Sequence, residues 1–133
     1  MSALLWGFAL LALANAAWML VDPAHWYARL PAGVPDFGPL NVHFVRDIGC
    51  AFGTIGAALA LAAWRPAWRA PLTLVAAIFA VAHALLHVHD TASGAVGAHH
   101  WRLDLVPVHL PALVLGVLAW RFCRGERRGP SPA

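Results

Sequence analysis

Leu40–Trp64 reads LNVHFVRDIGCAFGTIGAALALAAW, and this stretch decides the fold. From Ile48 to Trp64 it carries no charge. A helix needs roughly 20 apolar residues to cross a bilayer, and a spanning segment must satisfy its backbone internally. The stretch therefore predicts a transmembrane helix. Three further apolar runs stand around it, at about Ala3 to Val21, Pro71 to Val88 and Leu103 to Trp120. The expected architecture is an all-α integral membrane four-helix bundle. It forms one domain over residues 1–124, with 125–133 as a disordered basic tail.

Composition agrees. Of 133 residues, 61% are apolar and 11% charged, against roughly 25% charged in a soluble domain. A disordered chain, a disulfide scaffold and an ordinary cytosolic enzyme are excluded. Cys50 should lie inside a helix and Cys123 just beyond the opposite membrane face, too far apart for a bridge. The basic residues are nine arginines. Arg65 and Arg69 flank one short link, and Arg121, Arg124, Arg127 and Arg128 crowd the C-terminus. Positive residues favour the cytoplasmic side, which places both termini there. The loops near 22–39 and 89–102 then face outward, in a multi-pass protein of a bacterial inner (plasma) membrane. The basic tail suits anionic lipid headgroups and is too short for nucleic acid. Trp26, Trp64, Trp68, Trp101 and Trp120 suit an interfacial belt. Before Ala14-Asn15-Ala16, a passable cleavage site, there is no positively charged segment, so the first run reads as a retained helix. Asp22-Pro23 starts a short interfacial helix in the first outer loop.

All eight histidines fall in the outer half. His43 and Asp47 stand at i, i+4, as do His83 and His87, so each pair shares a helix face. Their helices run antiparallel, which sets the two pairs at matching depths. Asp90 follows His87 by three residues, and His109 reaches a similar depth on the fourth helix. A carboxylate with several imidazoles is a ligand set for zinc, iron or copper. His43, Asp47, His83 and His87 are the expected metal ligands, with His109 or Asp90 as a fifth. Asn41, Arg46 and Asp104 would support them. Each residue also has a plainer reading. Boundary histidines can simply be amphipathic, Asp47 can balance Arg46, and His89, His99 and His100 read as solvated loop residues. Asp104 can cap helix four, and Asn15 can hydrogen-bond between helices. Gly49, Gly53 and Gly56 make a small-residue face for close helix contact.

Gly38–Gly49 resembles a motif of small four-helix bacterial membrane proteins of uncharacterised activity, N-x-H-[FL]-x-R-D-x-G. Their second block is an H-x-x-x-H pair on helix three, matched by His83 and His87. Where those proteins often carry a further histidine, this chain has Asp90. The resemblance covers roughly residues 3–90 and implies that Asn41, His43, Arg46, Asp47, His83 and His87 form one functional unit.

Four functions are open on sequence; the last, proton movement through the histidines, ranks lowest because the helices are apolar below Cys50 and Thr54. The first is a metal centre near the outer face, whether binding or catalytic. The second is a b-type haem with His43 and His87 as axial ligands, or a quinone site. The third is a non-catalytic subunit of a homo-oligomer or larger membrane complex, its polar cluster a structural network. No serine-nucleophile motif or phosphate loop is present, which disfavours covalent hydrolase chemistry.

Overall fold

A computed structural model describes residues 1–127. The chain is all-helical among these residues. Its order is α1 (Ser2–Val21), α2 (Pro23–Arg29), a 3₁₀ turn (Val34–Phe37), α3 (Val42–Trp64) and a second 3₁₀ turn (Pro66–Trp68). Then come α4 (Arg69–Ser93), α5 (His100–Leu103), a π-helical segment (Leu105–His109) and α6 (Leu110–Arg127). Four segments are long and apolar enough to cross a membrane: Ser2–Val21, Val42–Trp64, Pro66–Ser93 and Leu105–Gly125. Gly125–Arg127, assigned to the tail on sequence, continue α6; tail residues 128–133 lie outside the described residues.

Local chemistry explains the boundaries. Asp22 accepts a hydrogen bond from the His25 backbone N–H at 3.0 Å and caps α2, with Pro23 in the first turn. Asn41 caps α3 in the same way, through the Phe44 N–H at 3.0 Å. The fourth span begins less regularly than expected. Pro107 and Pro111 lack the N–H of an α-helical ladder. The His109 N–H reaches back to the Asp104 carbonyl at 3.0 Å, five residues away, and the helix widens into a π turn beside Asp104.

α1 packs chiefly on α3 and α4 chiefly on α6, and the two pairs join along α3 and α4. The small residues of α3 make the first contact close. A Cβ at Gly56 would stand 2.7 Å from the Leu13 Cγ and 3.1 Å from its backbone nitrogen. At Gly49 the fit is less tight, a Cβ standing 3.1 Å from the Met19 Cβ and 3.2 Å from the Leu20 Cγ. At the end carrying Arg65, Arg69 and Arg121, one apolar cluster joins all four long helices through Leu5, Leu59, Ala76 and Leu118. At the histidine end the core divides. Met19, Trp26 and Val45 cluster on the α1–α3 side, and Ala84, Val108 and Ala112 on the α4–α6 side. Trp26 is thus buried rather than part of an interfacial belt. Its indole N–H donates to Asn15 Oδ1 at 2.9 Å, so Asn15 ties α1 to α2 and not to another span.

Candidate metal centre

The first loop bridges the divided end. Gly33 takes a left-handed conformation (φ 61°) that directs the chain into the 3₁₀ turn. A Cβ there would stand 3.0 Å from the His100 Cε1, so the loop seats directly on that ring. Tyr27 donates its hydroxyl to the Gly38 carbonyl at 2.7 Å and fixes the far side of the loop. Between these anchors, Phe37 packs on the rings of His87 and His100, with centroids 4.9 and 4.7 Å away. Asp36 is thereby delivered to α5.

Asp36 Oδ2 lies 3.0 Å from His99 Nε2 and 3.1 Å from His100 Nε2. The three ligand atoms fall within 4.8 Å of one another, and this is the only such group of three or more among the described residues. Hydrogen bonds from His99 first, then His100, hold the Asp36 carboxyl below the usual carboxylate range. His99 and Asp36 are exposed, whereas His100 is fully buried.

Behind His100 stands Asp104, 1% exposed. Its carboxylate lies 3.5 Å from His100 Nδ1 and 2.9 Å from His87 Nδ1. A carboxylate only accepts, so His87 donates to Asp104 through Nδ1. His100 faces a carboxylate at each ring nitrogen, Asp36 at 3.1 Å and Asp104 at 3.5 Å, and a neutral ring has one N–H to donate. Both carboxylates are satisfied together only when a further cation, proton or metal, joins the ring. The same carboxylate–histidine arrangement fixes the tautomer of metal-bound histidines in general. His87 continues the chain inward. Its ring meets that of His83 edge-on at 4.6 Å, and His83 sits against Phe52 and Phe79.

The expected ligand set is divided. His43 pairs with Asp47 at 3.3 Å, and the two side chains are 88% and 59% exposed. They share no partner with His83 or His87. The cause lies in the helix: Asp47 and His43 each stand two residues from buried Val45, which turns them about 160° away from the packed face. His43 and His87 therefore do not bracket a common space of the kind two axial haem ligands would need. Of the six residues the resemblance groups together, Asn41 is a helix cap and Arg46 donates to the Leu20 carbonyl at 3.3 Å. Asp90 pairs with neighbouring His89 at 3.3 Å, and His109 is half-buried in the π segment. Asp104 makes no side-chain cap for the helix, because its carboxylate is turned to the two imidazoles.

Sequence reasoning missed Asp36, His99 and His100. One signal was present: His100 and Asp104 have the same i, i+4 spacing as the pairs singled out. It was hidden by starting the fourth helix at Leu103. Asp36 had no local signal, since its partners lie 63 and 64 residues away. No family model, curated protein or solved structure matches the chain, so the geometry of the site alone must carry its interpretation.

Proposed function

We propose that the protein binds a divalent first-row transition metal ion (zinc, iron or copper) through Asp36, His99 and His100. It would do so at the outer face of a bacterial inner membrane that its four apolar helices span. The carrying observation is the position of His100, whose two ring nitrogens each face a carboxylate. Two imidazoles and a carboxylate suit these metals. The fit is also metric. A tetrahedral site with bonds of 2.0–2.1 Å has edges of about 3.3–3.4 Å. Asp36 already stands 3.0 and 3.1 Å from the two imidazole nitrogens. A metal replacing the proton between His100 Nε2 and Asp36 would lengthen these two edges slightly, with the two imidazole nitrogens already within 4.8 Å of each other. Asp104 would hold Nδ1–H as the ion binds, and His87 would share the charge of that buried carboxylate.

Three protein ligands, of which Asp36 and His99 are exposed and His100 is buried, would leave a coordination position open on the exposed side for water or a small ligand. The clustering of arginines at the opposite end supports an outward-facing site. The testing experiment is cobalt(II) titration of detergent-solubilised protein without a histidine tag, followed by visible absorption. One equivalent should produce d–d bands. Asp36→Asn and His99→Ala should lose them while keeping the helical circular-dichroism spectrum. Bands that persist in both variants would overturn the assignment.

A further inference from the structure

The end of the bundle opposite the histidines holds an open cavity of about 490 Å³, lined by Met1, Pro66, Arg69, Ala70, Arg121, Phe122 and Gly125. Four arginines with described side chains lie at this end, and they divide into two kinds. Arg65 and Arg124 lie over the faces of Trp64 and Trp120, with the guanidinium carbon 4.5 and 4.4 Å from the ring centroids. Arg69 and Arg121 instead line the cavity. Among the residues whose side chains are described (1–125), no arginine is ion-paired with a carboxylate and no acid lines this space.

Arg69 is also held in place. Its Nη2 donates to Ser2 Oγ at 2.6 Å and its Nε to the Ala62 carbonyl at 3.3 Å. These bonds join α4 to the start of α1 and the end of α3. A guanidinium has five N–H donors, so the fixed side chain keeps others for a ligand. Two arginines around one space, one of them immobilised, match the several oxygens of a phosphate group better than a single carboxylate. Phe122 and Pro66 give the cavity an apolar wall beside its charge.

We infer that this cavity binds a phosphate group, borne either by an anionic lipid headgroup or by a free phosphate ion. The inference is independent of the metal centre and of which end faces the cytoplasm. It is tested on full-length, detergent-solubilised protein titrated separately with phosphatidylglycerol, phosphatidylcholine and inorganic phosphate. Wild type should bind phosphatidylglycerol at least tenfold more tightly than phosphatidylcholine. That preference should collapse in Arg121→Gln, whose side chain is exposed and so removable without unfolding. It should survive in Arg124→Gln, which alters an arginine stacked outside the cavity. Inorganic phosphate binding that also depends on Arg121 would assign a free anion; phosphatidylglycerol binding alone would assign a headgroup. Equal affinity for the two lipids with no phosphate binding, or an unchanged preference in Arg121→Gln, would overturn the inference.

Discussion

At the arginine end, one apolar cluster joins all four long helices. At the histidine end the apolar core splits in two, and a chain of side chains from Asp36 through His100 and Asp104 to His87 spans the gap. The difference shows two ways of closing one end of a small bundle. Burial of alanine and leucine side chains closes one end with no chemical specificity. The other end depends on buried polar groups, each satisfied only if the whole chain of contacts is in place. Such an end is vulnerable to single substitutions, and it is the one equipped to respond to a cation.

The largest expected effect comes from cutting that chain at its centre. His100→Ala removes a proposed metal ligand and one of the two imidazoles that face buried Asp104. Zinc binding should fall at least 100-fold, and unfolding should become easier by about 1–3 kcal/mol. Competition with a chromophoric chelator and denaturant titration read the two effects. Asp104→Asn is milder, because the amide still accepts one hydrogen bond but no longer balances two imidazoles. Removing such a supporting group typically costs about 10–100-fold in metal affinity, and the same competition assay measures it. Gly33→Ala breaks the seat of the loop. Its left-handed backbone costs an alanine about 1–2 kcal/mol, and the added Cβ meets the His100 ring. The thermal midpoint should drop, and saturating zinc should recover part of the loss by drawing Asp36 back to His99 and His100.

These expectations also show what was legible from the residues. The four spans were legible, because apolar runs of bilayer length leave few alternatives. So was the Asp22-Pro23 start of α2, a purely local signal. The glycine face of α3 was legible as a packing surface, and it held more information than its spacing alone suggested. Gly49 stands two residues from Asp47, on nearly the opposite side of the helix. If the glycines face α1, then His43 and Asp47 must face away from the packed side. An i, i+4 spacing shows that two side chains share a face, but not where the face points. The contact of Asp36 with His99 and His100 was not legible, because it joins two loops through tertiary packing. The loop's course depends on Gly33, Phe37 and Tyr27 together, and none of the three is a metal-site signal by itself.

Zinc binding distinguishes a cation site in the loop–α5 cluster from one on the exposed face of α3. The decisive experiment is equilibrium dialysis of zinc against untagged wild type, His100→Ala and His43→Ala, run side by side. Wild type and His43→Ala should each bind one equivalent, with affinities within about twofold because His43 is 88% exposed and shares no contact with the cluster, as expected for a surface substitution. His100→Ala should bind none at the same free zinc. Loss of zinc in His43→Ala with retention in His100→Ala would overturn the assignment and move the site to α3.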